Sequence, residues 1–239
     1  MLLPFETTSW SVILQATADS SAVAREGLAR LFQTYWPPVY ALIRRRGHTA
    51  EDAEDLTQAY FARFLEKDYL GDYRPEAGRF RTFLRASVAH FLANEWDRAK
   101  AHKRGGSLVA VSIDAATGEE RLRLEPVDCL TPEAVFERQW AASLLRRCLE
   151  VLREERVAAE GPARFERLKP FLAGEEPGPG YAAAARELGL TESAVRVAVH
   201  RLRRRFCAVL REEVGRTVRS PADVDAEIRW MLEALQGSH

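Results

Sequence analysis

The chain has 239 residues, of which 46% are hydrophobic and 29% charged, and its 35 basic residues balance 35 acidic ones. This composition is typical of a chain that buries a core and argues against wholesale disorder. No window approaches the roughly 18 consecutive apolar residues of a membrane span, and no signal peptide is visible. The three cysteines lie far apart, which argues against a disulfide framework and a zinc site. We therefore expect a cytoplasmic location, no membrane association and no cofactor or metal.

Helical patterns dominate, and the predicted fold class is all-α, with two helical domains joined by an irregular acidic linker. A first helix is predicted over 22–35 and is ended by Trp36-Pro37-Pro38, and a second helix follows and ends at 44–47. Thr49 caps a third helix that opens with acidic side chains, which suit the positive end of the helix dipole. A fourth helix is predicted over 80–103.

The helical pattern lapses over 105–131, where five acidic residues oppose two arginines. The composition favours a linker, and a short β-ribbon over the alternating hydrophobic residues is the alternative. Helices are predicted again over 132–155 and 163–172. The predicted domains are 22–104 and 132–215, followed by an extension over 216–239. Ser220 caps one amphipathic helix in that extension, and we expect its apolar stripe to pack on the second domain, with a regulatory contact as the alternative.

Residues 181–206 have the spacing of a DNA-binding helix-turn-helix. Gly189 ends the supporting helix, because a left-handed backbone costs glycine least, and Thr191 caps the next helix. From Ser193 to Arg211 there are six arginines and no acidic residue. Arginine binds phosphate bidentately and reads guanine in the major groove, so this face is predicted to bind DNA. The alternative is an amphipathic helix with a solvated basic face.

Basic and aromatic residues are interleaved over 79–104, where seven basic side chains face two acidic ones. Basic side chains bind phosphates, and aromatic faces stack on unpaired bases. The alternative is that most of these aromatic residues belong to the core, as their helical spacing suggests.

In order, the chain has an acidic helix containing Asp-Leu-Thr-Gln, a basic helix opening with Phe-Arg-Thr-Phe-Leu-Arg, a linker and a helix-turn-helix. This order resembles the bacterial RNA polymerase sigma factors, and in particular the extracytoplasmic-function (ECF) group of the sigma-70 family. The resemblance covers 24–211 and is strongest over 51–65, 79–104 and 181–206. It implies a non-enzymatic subunit that binds the clamp and flap of core RNA polymerase and directs it to promoters. The implied DNA partners are the promoter duplex and the melted non-template strand, and an inhibitory partner protein would fit the same scheme.

The resemblance also implies a role for individual residues. The implied polymerase contacts are Glu51, Asp52, Asp55 and Gln58. The implied contacts with the −10 promoter element are Arg81, Arg85, His90, Asn94, Trp96, Arg98, Lys100 and Lys103, with a flipped base near 89–94. The implied contacts with the −35 element are Ser193, Arg196, Val197, His200, Arg201, Arg203 and Arg204. The chain departs from the family at His90-Phe91, where many relatives have Arg-Asn, in a longer stretch over 153–179, and in its C-terminal extension.

The alternative function is that of an autonomous helix-turn-helix regulator, which binds operator DNA without polymerase. Such a regulator needs tight duplex binding, usually as a dimer on paired half-sites. An enzyme is not expected, because no phosphate-binding glycine loop, metal cluster or nucleophile–base arrangement stands out.

Overall fold

The computed structural model describes residues 22–66, 79–101, 130–173, 180–218 and 220–236. Within these ranges the protein is all-helical, with eight α-helices, short 3-10 helices and no strand, which confirms the predicted fold class at this level. The α-helices are α1 (Ala22–Arg45), α2 (Ala50–Glu66), α3 (Phe80–Ala101), α4 (Pro132–Glu160), α5 (Pro162–Leu168), α6 (Gly180–Leu188), α7 (Glu192–Gly215) and α8 (Val224–Gln236). None of these helices is long and apolar enough to cross a membrane. The predicted linker lies outside the described residues up to position 129, and so does Cys129.

Helix α1 runs through Pro37 and Pro38, so the prediction of two helices over 22–47 was wrong. Each proline removes a backbone donor, which normally kinks or ends a helix. Here the flanking residues are buried, with Tyr35 and the whole run 39–43 at most 3% exposed. Tyr35 packs edge-on against Phe80, with ring centroids 5.1 Å apart. We attribute the continuity of the helix to this burial, which offsets the loss of hydrogen bonds.

Helix α2 begins where its cap was predicted. The Thr49 hydroxyl accepts a hydrogen bond from the Asp52 backbone N–H at 3.1 Å, which satisfies a donor of the first turn. Two turns later, Tyr60 packs edge-on against Phe91 of α3, with centroids 5.5 Å apart. The Tyr60 hydroxyl donates to Ser87 Oγ at 3.1 Å. These contacts fix α2 against α3 and therefore decide which faces of both helices remain exposed.

The chain divides into two compact units, and the division falls inside α4 and inside α7. The first unit comprises residues up to Leu144 together with Val214 onward, and the second comprises Leu145–Glu213. In the first unit, α8 contacts α3 through Arg81 and contacts the first part of α4 through Trp140. Helix α8 was expected to pack on the second predicted domain, 132–215. Trp140 belongs to that domain, but Arg81 belongs to the first predicted domain, so the expectation accounts for only one of these two contacts.

The second unit has its own hydrophobic core. Its buried members come from α4, α5, the 3-10 helix Lys169–Ala173, α6 and α7. Phe171 stacks on Tyr181, with centroids 4.7 Å apart. Small Ala184 and Ala185 are buried in the same cluster as Val195 and Val199, so α6 and α7 pack closely. This core orients the opposite, basic face of α7 toward solvent.

Candidate polymerase and nucleic-acid interfaces

The start of α2 is acidic, and one of its carboxylates takes part in the helix cap while others are exposed to solvent. The Thr49 hydroxyl donates to Asp52 Oδ2 at 2.7 Å, so this carboxylate takes part in the helix cap. Glu51 and Asp55 are exposed, and Gln58 is half-buried one turn after Asp55. The structure thus brings the four predicted polymerase contacts to one end of one helix. Only Asp52 has a visible structural function there.

Helix α3 has one buried and one exposed face. Its buried stripe, Phe80, Leu84, Val88 and Phe91, is at most 4% exposed, so the alternative that most aromatic residues are core holds for Phe80 and Phe91. His90 and Asn94 lie one turn apart on the exposed face. Trp96 is 63% exposed, which is unusual for so large an apolar side chain. Its ring therefore offers a face on which a base can stack. The side chains of Arg98 and Lys100, and all of Lys103, lie outside the described part of the chain.

Arg81, by contrast, is only 4% exposed and lies in a buried ionic cluster. Its Nε donates to Glu227 Oε1 at 2.7 Å, and its Nη1 donates to Glu137 Oε2 at 2.9 Å. The guanidinium lies 3.4 Å from the ring centroid of Trp230 and 5.3 Å from that of Trp140. Its guanidinium is thus engaged with two carboxylates and two indole rings of the protein. We therefore do not retain Arg81 among the residues that contact DNA.

Two further arginines border this cluster. Arg79 forms an ion pair with Glu227 at 2.9 Å, and Arg85 forms one with Glu137 at 3.0 Å. Burial raises the pKa of the Glu137 carboxyl, and this effect outweighs the opposing effects of Arg81 and Arg85. Arg85 keeps a third of its side chain exposed, so part of it remains available to a ligand.

No residue close to Arg81 in the sequence predicts this cluster. Arg81 lies in a basic run that reads as a DNA-binding surface, while its partners Glu137 and Glu227 are 56 and 146 positions away. In the sequence, Glu227 lies at helical spacing between Val224 and Met231 of the apolar stripe of α8, and a charged side chain buried at such a position is normally paired.

Helices α6 and α7 are joined by a tight turn at Gly189, whose φ of 65° is left-handed. Leu190 N–H bonds to Ala185 O at 2.9 Å, and Gly189 N–H bonds to Arg186 O at 3.4 Å, which together make a Schellman motif. Thr191 Oγ1 then accepts from Ala194 N–H at 3.2 Å and caps α7. Both local signals read from the sequence, the glycine stop and the threonine cap, are confirmed.

The basic face of α7 is partly committed to contacts within the protein. Arg196 donates to Glu192 at 2.6 Å and lies over the ring of Tyr181, 4.2 Å from its centroid. Arg203 donates twice to Phe171 O, at 2.7 and 3.0 Å, and is half-buried. Arg203 therefore caps the 3-10 helix, whereas Arg196 stays more than half exposed in a fixed orientation.

The remaining predicted residues of α7 all reach solvent. This exposed set is Ser193, Val197, His200, Arg201 and Arg204. Val197 is 49% exposed although it is apolar. A face that combines arginines, a histidine, a hydroxyl and an exposed apolar side chain has the chemistry that reads base edges and methyl groups in a major groove.

Residues 31–102, which include most of α1 and all of α2 and α3 up to Ala101, match the family model for Sigma-70 region 2. This segment of the chain is therefore similar to region 2 of the sigma-70 family. No curated protein and no solved structure matches the chain.

Proposed function

We propose that this chain is a sigma factor of the extracytoplasmic-function type, which binds core RNA polymerase in the cytoplasm and directs it to specific promoters. The observation that carries this proposal is the match of residues 31–102 to Sigma-70 region 2. The basic helix α7 behind the turn at Gly189 supports a second DNA-binding element, which the region 2 match does not include.

In this proposal, the polymerase binds the start of α2. Asp55 and Gln58 are the principal candidate contacts, and the exposed Glu51 remains a further one. Asp52 is engaged with Thr49 in the helix cap. The Asp55 side chain is exposed, so its carboxylate is accessible to a basic partner surface. The clamp of core polymerase is the partner proposed for this surface, and the flap is proposed for the second unit.

The −10 element is proposed to bind along the exposed face of α3. His90 and Asn94 lie on that face, Trp96 offers an aromatic surface to an unpaired base, and Arg85 retains partial exposure. Stacking on an aromatic side chain contributes roughly 1–3 kcal/mol per base. The predicted contacts of Arg98, Lys100 and Lys103 remain part of the proposal.

The −35 element is proposed to bind as duplex on α7. Arg201 and Arg204 supply charge, Val197 supplies an apolar contact, and Arg196 is held in place by Glu192 and Tyr181. The domain assignment proposed with this function remains 22–104 for polymerase and −10 binding and 132–215 for −35 binding. The linker 105–131 and the extension 216–239 complete it.

A pull-down with core polymerase tests the docking surface. The double variant Asp55→Ala/Gln58→Ala should lose at least tenfold in affinity for core polymerase, since it removes both proposed contacts. The control is Glu233→Ala/Gln236→Ala, an exposed acid–amide pair at the same spacing on α8. Equal binding by both double variants and the wild type would contradict the docking assignment.

A gel shift separates this function from that of an autonomous regulator. A sigma factor should shift promoter duplex selectively only together with core polymerase, because few phosphates are neutralised by the chain alone. Tight, selective binding by the isolated chain would favour the autonomous regulator instead.

A further inference from the structure

A groove of about 330 Å³ lies in the second unit, where the end of α4, helix α5 and the middle of α7 meet. Its charged lining comes from three arginines and one glutamate, Arg156, Glu160, Arg164 and Arg201. Leu168 and Leu202, both nearly fully buried, also line it. The helices that form it, apart from α7, belong to the stretch after 153 that is longer than the resemblance to sigma factors leads one to expect.

The groove has more positive than negative charge. Glu160 is shared, because its Oε1 lies 3.2 Å from Arg156 Nη1 and its Oε2 lies 2.8 Å from Arg164 Nε. Arg201 has no ion pair within the described residues. Three guanidiniums and one carboxylate leave an excess of two positive charges around a partly open cavity.

The groove adjoins the proposed −35 surface. Val197 and Arg201 lie one turn apart on α7, and both line the groove and belong to the predicted DNA-contacting set. A duplex that lies along this face of α7 must therefore pass the mouth of the groove. Backbone phosphates are the anions that a duplex presents there, and arginine binds them bidentately.

We infer that this groove binds a backbone phosphate of the same duplex, with Arg156 and Arg164 as contacts supplied from outside the helix-turn-helix. The inference rests on the proposed function, since it needs a duplex on α7. Phosphate contacts fix the position of a protein on DNA and carry no sequence information, so the contribution should be equal for every sequence bound on α7. In this proposal, helix α5 helps to position the duplex through Arg164.

The test measures how the affinity of reconstituted holoenzyme for promoter duplex depends on salt, for the full-length wild type and three variants. Arg164→Ala should lower the slope of log affinity against log salt by about 0.9 and weaken binding roughly three- to tenfold near 0.1 M salt. The loss should be the same on a scrambled duplex. The control is Arg153→Ala, which removes an arginine of α4 that is paired with Glu166. Arg153 does not line the groove. This control variant should keep the wild-type slope.

Glu160→Gln provides a change of opposite sign. It removes the negative charge of the groove, so duplex binding should tighten roughly threefold, a result that damage to the fold would not produce. A wild-type slope for Arg164→Ala, or weaker binding by Glu160→Gln, would overturn the inference while leaving the proposed function intact. If wild-type holoenzyme showed no selective promoter binding at all, the proposed function itself would fail, and this inference with it.

Discussion

Arg81 is held by two carboxylates and two indole rings in the first unit, and replacing it would leave Glu137 and Glu227 buried with fewer partners. Removing one member of a buried ion pair costs about 3–5 kcal/mol, because the partner charge stays desolvated. We expect Arg81→Met to lower the free energy of unfolding by about 3 kcal/mol, measured by urea denaturation. Arg79 and Arg85 still pair with the two carboxylates, so the loss should fall at the lower end of the range.

Arg63→Met is the matched control for this prediction. Arg63 also pairs with a glutamate, Glu95 at 2.8 Å, and lies over an aromatic ring, that of Phe91, but the Glu95 side chain is one-third exposed. Its loss should cost about 1 kcal/mol, as for a pair near solvent. Equal stability of Arg81→Met and Arg63→Met would show that the buried cluster contributes no more than a surface ion pair.

The raised pKa of Glu137 makes stability depend on pH in a defined direction. The folded protein holds the Glu137 proton to a higher pH than the unfolded chain, so the folded state binds more protons between the two pKa values. The free energy of unfolding therefore falls as pH rises through that interval. Glu137→Gln removes this titration. Wild type should gain stability relative to Glu137→Gln when the pH is lowered from 7 toward 4, measured by urea denaturation at each pH, and a constant difference would contradict this.

Among the helices, the turn between α6 and α7 depends on one backbone conformation. Gly189 has φ of 65°, and a Cβ added there would meet no atom within 4 Å, so the cost of a side chain is conformational. A left-handed conformation costs a non-glycine residue about 1–2 kcal/mol. We expect Gly189→Ala to lower the free energy of unfolding by about 1 kcal/mol in a denaturation experiment.

Gly215 gives the comparison for this turn. It ends α7 without a left-handed backbone, and its added Cβ would lie in ordinary contact with Val224 Cγ2 at 3.9 Å. Gly215→Ala should be neutral or raise stability by up to about 1 kcal/mol, since alanine favours helix. A loss of equal size in both variants would mean that the Gly189 turn has no special conformational requirement.

The helices also show which features a sequence can reveal. The caps at Thr49 and Thr191 and the stop at Gly189 were predicted, because each depends on residues within one turn of the chain. The continuity of α1 through Pro37 and Pro38 was not, because it depends on burial against other helices. The same reason explains the Arg81 cluster, whose partners lie far along the chain. Local sequence patterns indicate the conformational propensity of a segment, whereas its final structure and its side-chain partners also depend on tertiary packing.

For the whole molecule, the resemblance to sigma factors was inferred from the order of short motifs over 24–211, and the match of residues 31–102 to Sigma-70 region 2 agrees with it for that segment. The candidate DNA surface was predicted less completely, because the sequence does not distinguish an exposed basic side chain from one that is paired with other groups of the protein. Arg81 and Arg203 illustrate this, because both are engaged with groups of the protein. Exposed members such as Asn94 and Arg204 retain the predicted accessibility.

The most direct test of the central claim is start-site mapping of RNA made on genomic template by core polymerase with and without this chain. The proposed function predicts a set of start sites that appears only with the chain, shares −10 and −35 sequences, and is lost with Asp55→Ala/Gln58→Ala. An unchanged distribution of start sites when the wild-type chain is added would contradict it.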